Sequence, residues 1–135
     1  MSDKIDEIEG IGPAIREKLQ AAGIRTTDDL IKLGGTKAGR ASLATSSGLS
    51  ESLLLKWANH ADLMRIKGIG GEFAELLEAA GVDTVKELRS RNAENLAAKM
   101  AEVNAAKSLT RTVPSAGMLE RWIAEAKTTE PGITH

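Results

Sequence analysis

The sequence predicts an all-α fold: two copies of a unit made of a helix, a tight hairpin turn and a second helix, packed as one compact pseudo-twofold domain. Three observations lead there. Ile8-Glu9-Gly10-Ile11-Gly12 recurs 58 residues later as Ile66-Lys67-Gly68-Ile69-Gly70, and 11 of the 23 positions from 8 to 30 are identical to those from 66 to 88. Apolar residues fall at spacings of three and four, the period of one helix face. No stretch alternates apolar and polar residues over the length of a strand.

The elements follow in order. Ile5 and Ile8 share one face of a short first helix, as do Leu63 and Ile66 in the second unit. Gly10 and Gly12, like Gly68 and Gly70, bracket a single apolar residue. Glycine there permits positive φ and close backbone approach. A second helix carries the stripe Ile11, Ile15, Leu19, Ala22 in one unit and Ile69, Phe73, Leu77, Ala80 in the other. Pro13 suits its first turn, where no N–H bond is lost. Gly23 and Gly81 suit the position just past its end. Short helices then open at Thr26 or Thr27 and at Asp83 or Thr84, and Thr84 with Glu87 has capping-box spacing. Longer helices are expected at about 37–45, 50–62, 93–107 and 115–127, with Ser50, Asn92 and Ser115 as N-caps. These later parts align at an offset of 65, Ser50-x-x-Leu53-x-x-Lys56-Trp57 against Ser115-x-x-Met118-x-x-Arg121-Trp122, which places seven extra residues within 92–112. The expected organisation is a first unit at 1–62, a second at 63–127, and a flexible tail at 128–135 containing Pro131 and Gly132.

Composition narrows the chemistry. A chain of 135 residues, 41% hydrophobic, suffices for one domain or two small halves sharing a core. Cysteine is absent, which excludes disulfides, thiolate chemistry and cysteine-bound metals. His60 and His135 are the only histidines, too few and too isolated for a metal site. No Ser or Thr has a histidine nearby that would make a nucleophile and base, so no enzyme is expected. Gly68-Ile69-Gly70-Gly71 is no nucleotide-binding loop, because no Lys-Ser or Lys-Thr follows it. No apolar run approaches the roughly 20 residues that span a bilayer. Met1-Ser2-Asp3-Lys4 lacks the apolar core of a signal peptide. These features favour a cytoplasmic placement with no membrane partner.

The string Ile-x-Gly-Ile-Gly, with apolar residues before it and Leu-x-x-x-Gly after it, resembles the helix-hairpin-helix motif of DNA repair and recombination proteins. The paired copies resemble a tandem helix-hairpin-helix domain. From about 3 to 127 the chain also resembles an uncharacterised, largely bacterial family of unknown function. Its members share the Gly-Ile-Gly hairpins and a segment like Asn95-Leu96-x-x-Lys99-Met100-x-x-Val103-Asn104. The resemblance implies a non-catalytic module that binds duplex or branched DNA weakly and without sequence preference. In DNA-binding relatives, backbone N–H groups at the start of the second helix hold one phosphate. A helix N-terminus has free donors and a partial positive charge, which makes this chemistry sound. Such contacts read backbone, not bases. Carried over, the candidates are Gly10, Gly12 and Ala14, then Gly68, Gly70 and Glu72, with Arg65 and Lys67 flanking the second hairpin. No cofactor is implied beyond a monovalent cation that hairpin carbonyls could bridge.

Charge argues in the other direction. Tight-binding relatives place Lys or Arg two residues after the second glycine, where this chain has Ala14 and Glu72. Residues 1–31 carry net −3, 32–67 net +4, 68–98 net −3 and 99–135 net +1, within a chain of net −1. Lys32, Lys37, Arg40, Lys56, Arg65 and Lys67 are the cations that could neutralise phosphate. The second hairpin is expected to lead, because Arg65 and Lys67 stand where the first has Glu7 and Glu9. Each feature also has a plainer reading. The glycines serve an αα-turn whether or not anything binds, the basic stretch is ordinary solvated surface, and Trp57 and Trp122 pack in a core. The alternative function is therefore a protein-interaction or self-assembly module that kept the fold and lost the phosphate site. Oligomeric state stays open.

Overall fold

A computed structural model describes residues 2–135. Among these, a 3-10 turn at Ile5–Glu7 precedes eight α-helices: α1 Pro13–Ala21, α2 Thr27–Gly34, α3 Lys37–Ser47, α4 Glu51–Leu63, α5 Gly71–Ala79, α6 Val85–Leu88, α7 Ala93–Lys107 and α8 Ala116–Lys127. The described residues contain no strand, only an isolated antiparallel bridge between Lys4 and Thr26. The fold class is all-α.

Local chemistry sets the helix starts. Thr26 accepts from the Asp29 amide while Asp29 accepts from the Thr26 amide, a full capping box at α2. Thr36, Ser50, Thr84, Asn92 and Ser115 each cap a helix through one side-chain oxygen. Each such cap contributes about 1 kcal/mol. The expected first helix is only the 3-10 turn in the first unit, and its counterpart is the end of α4, which stops at Leu63. Three residues between Lys4 and Ile8 are too few for a hydrogen-bonded α-turn to propagate.

One hydrophobic core runs through both halves. It includes Leu19, Ile24 and Leu30 from the first, Leu76, Leu77, Leu88, Met100 and Leu119 from the second, and Leu54, Ala58 and Leu63 of α4 between them. Helix α4 packs on α2, α3 and α5, so it belongs to both halves. Trp57 and Trp122 are each only 3% exposed, as core packing requires.

The chain end is the main departure from expectation. Residues 128–135 are held along the body rather than frayed. Ile133 is buried, the Thr134 amide donates to Gly35 O at 2.8 Å, and Gly132 N donates to Asp62 Oδ1 at 3.2 Å. The physical reason is that a terminal segment orders when its backbone groups and an apolar plug find partners. Those partners lie 70 to 99 residues upstream, where no local pattern reveals them.

Candidate functional site

The two Gly-x-Gly turns have the same backbone. Gly10 and Gly68 are left-handed, with φ of 92° and 98°. Gly12 and Gly70 are not: they are extended N-caps, with φ, ψ of −90°, −175° and −96°, −172°. Only the first glycine of each pair therefore needs positive φ, and no contact in the fold requires the second to be glycine. A Cβ on Gly12 or Gly70 would meet nothing within 4 Å. Each left-handed glycine lies against the indole of a later helix, with a Cβ on Gly10 3.8 Å from Trp57 Nε1 and one on Gly68 3.0 Å from Trp122 Nε1.

These turns deliver α1 and α5, and the two helices differ from the other six. Neither has a side-chain cap at its N-terminus. At α1, Pro13 brings no N–H, and among the described residues no protein acceptor takes the amides of Ala14 or Ile15. Gly12, Pro13 and Ala14 are all exposed. The start of α1 thus offers two free donors and a helix dipole to solvent.

The start of α5 is more enclosed. Gly71 packs against the Glu7 carbonyl so closely that any Cβ would overlap it. A cleft of about 460 Å³ opens there, lined by Gly70 and Glu72, by Glu7 and Glu9 from the first hairpin, and by Arg111 from the loop before α8. Three acidic residues and one basic residue, Arg111, line the cleft beside donors that would have to meet a phosphate. The turn before α5 is further occupied, because the Lys67 amide donates to Glu125 Oε2 at 2.8 Å. Glu72 itself is exposed on the first turn.

Three of the six candidate cations are engaged within the fold. Arg40 is only 3% exposed and donates to Gly34 O and Thr134 O. Burial lowers its pKa, with Glu51 opposing. Arg65 is bonded to Asp62 and to Glu130 O. Lys56 lies 3.9 Å from Glu78 Oε1. Of the expected basic set, Lys32, Lys37, Arg40 and Lys67 carry no salt bridge among the described residues, and of these Arg40 is buried. The reason for placing the second hairpin first is thereby weakened. Arg65 spends its guanidinium on Asp62 and the Glu130 carbonyl, and Glu7 and Glu9 line the cleft at the second hairpin.

Asp62 and Arg89 are the residues that sequence reasoning passed over. Asp62 is fully buried and accepts from Arg65, from Val85 N at 2.9 Å and from Gly132 N. Arg89 donates to Thr129 O at 2.7 Å. A charged residue among the apolar positions that close α4 was the available signal for Asp62. Nearby, His60 Nε2 lies 3.1 Å from Glu78 Oε2, though out of line for a straight hydrogen bond, and joins α4 to α5.

Among the described residues no group of three or more His, Cys, Asp or Glu is placed to hold a metal, and no helix is long and apolar enough to cross a membrane. Residues 9–129 match the model of a family described as a domain of unknown function, DUF4332. Neither a curated protein nor a solved structure matches the chain.

Proposed function

The chain belongs to the DUF4332 family of unknown function, and we propose that it is a non-catalytic helix-hairpin-helix module that binds the DNA phosphate backbone weakly and without sequence preference. One observation carries this reading. The two helices that follow the Gly-Ile-Gly turns are the two left without a side-chain cap, while the other six are capped from within. Free donors at a helix start suit a phosphate oxygen. The matching dihedrals at an offset of 58 support reading the units as a duplication, related by a pseudo-twofold.

The first hairpin is the stronger candidate, through Gly10, Gly12 and Ala14. Its first amides have no protein acceptor and open to solvent, whereas Gly68, Gly70 and Glu72 line a cleft shared with Glu7 and Glu9. One usable hairpin and few free cations give weak binding, on the order of micromolar Kd or poorer at physiological salt. A second reading is a protein-interaction module, and the acidic excess of the cleft at the start of α5 favours it. Titration of a labelled duplex with Ala14→Glu separates the two. Loss of binding is expected if α1 holds phosphate, and unchanged binding would contradict it.

A further inference from the structure

The C-terminal segment lies in a groove whose donors are arginines from three different places. Arg89, just after α6, donates to Thr129 O at 2.7 Å. Arg65, just after α4, donates to Glu130 O at 2.7 Å. Arg40, on α3, donates to Thr134 O at 2.6 Å. Between these, Asp62 takes the Gly132 amide and Gly35 O takes the Thr134 amide. Ile133 fills an apolar pocket beneath.

The three arginines of this groove are only partly neutralised, by Asp62 and by Glu51 near Arg40. Arg65 alone has a carboxylate partner, Asp62. Arg40 forms no salt bridge among the described residues and is bonded only to carbonyls. Arg89 has a buried Nε without a partner. A neutral carbonyl lacks the opposite charge that a phosphate oxygen offers a guanidinium, and a phosphate can also take two parallel N–H bonds from one guanidinium. The five residue steps from Thr129 to Thr134 reach at most about 18 Å. A single nucleic-acid strand carries about one charge per 3.4 Å of helix axis, so that length holds several phosphates.

We propose that the C-terminal strap is an intramolecular cover over an arginine-lined groove that binds phosphodiester backbone once the strap is displaced. The inference rests on the reading of the chain as a DNA-backbone binder, and adds a second, regulated contact to the hairpin. It also gives a purpose to Arg40 and Arg65, which the sequence marks as basic surface and the fold bonds to the strap.

The test uses three forms of the chain: wild type, full-length Ile133→Asp, and a chain ending at Thr128. Loss of hydrogen-exchange protection at the Thr134 amide reports release in the full-length variant, and circular dichroism reports the fold. Binding is read by anisotropy of a short labelled duplex at low salt. Release should raise affinity roughly tenfold, as expected for a few added phosphate contacts. Arg40→Gln with Arg89→Gln in the released background should remove that gain, and Ala14→Glu should leave it in place. Added peptide of sequence 128–135 should compete with the duplex for the truncated chain. Wild-type affinity in a released, folded chain would overturn the proposal, as would a gain indifferent to both arginines. If both released forms unfold, the strap is a structural staple and the proposal falls. A gain in affinity from Ala14→Lys without one from strap release leaves the hairpin reading standing alone. Binding that appears only on release leaves the groove and removes the hairpin.

Discussion

Gly68 lies over the indole nitrogen of Trp122: a Cβ added to Gly68 would stand 3.0 Å from Nε1, on a backbone with φ of 98°. Gly10 and Trp57 repeat the relationship more loosely, at 3.8 Å. In each unit the turn that opens the second helix is therefore set against the last helix by a residue with no side chain.

This ranks the glycine substitutions. Gly10→Ala should cost about 1–2 kcal/mol from the left-handed backbone. Gly68→Ala should cost more, because Trp122 must also move. Gly71→Ala should cost about 2 kcal/mol or more, since its Cβ would overlap the Glu7 carbonyl. Gly12→Ala and Gly70→Ala should lose only about 0.5 kcal/mol, the difference between Gly and Ala as N-caps. Urea denaturation of the five variants checks the order, and a Gly12→Ala cost equal to that of Gly68→Ala would contradict it.

Asp62 should be the most sensitive carboxylate. Asp62→Ala leaves Arg65 half-buried without its counter-ion and the amides of Val85 and Gly132 without acceptors. Breaking such a buried pair costs about 3–5 kcal/mol. Asp6→Ala, which removes an exposed pair with Arg16, should barely move the melting curve. Thermal denaturation of both variants measures the contrast. Similar melting temperatures would mean that Asp62 is not the junction described.

Acid should weaken the joint between α4 and α5. Burial alone raises the Glu78 pKa, but His60 and then Lys56 outweigh it, and the net value falls below the usual 4.5. A carboxylate depressed in the folded state stabilises above its unfolded pKa and loses that contribution as pH falls through the folded value. Stability should therefore drop as pH goes below about 4.5. Asp29 adds a further loss below 3.8, because the Arg25 amide, the Thr26 amide and the Thr26 hydroxyl lower its pKa against partial burial. Glu78→Gln should flatten the acid limb of a melting-temperature profile. An unchanged limb would count against the pairing with His60.

The two halves should unfold together. Helix α4 is shared and the core is continuous, so calorimetric and van't Hoff enthalpies should agree. A half of about 60 residues should be marginal by itself. Two resolved transitions would contradict a single core.

Legibility in the sequence followed the range of the interactions. The helices at 93–107 and the caps Ser50, Asn92 and Ser115 stand where their local patterns put them. The indole residues were legible from apolar spacing. Which glycine takes positive φ was not, since Gly10 and Gly12 differ only in whether the residue ends a turn or caps a helix. Arg40 read as surface charge because its partner, Thr134 O, is 94 residues away. The strap was hidden for the same reason: Pro131 and Gly132 mark irregular chain, and only the groove makes that chain ordered.

The central claim is that the start of α1 holds a phosphate. The most direct measurement is fluorescence anisotropy with labelled duplex across a salt series, comparing wild type with Ala14→Lys and Ala14→Glu. The account predicts weak wild-type binding that falls with salt. It predicts a salt slope steeper by about one phosphate for Ala14→Lys, and loss of binding for Ala14→Glu. No duplex binding by wild type at low salt, together with none created by Ala14→Lys, would contradict it.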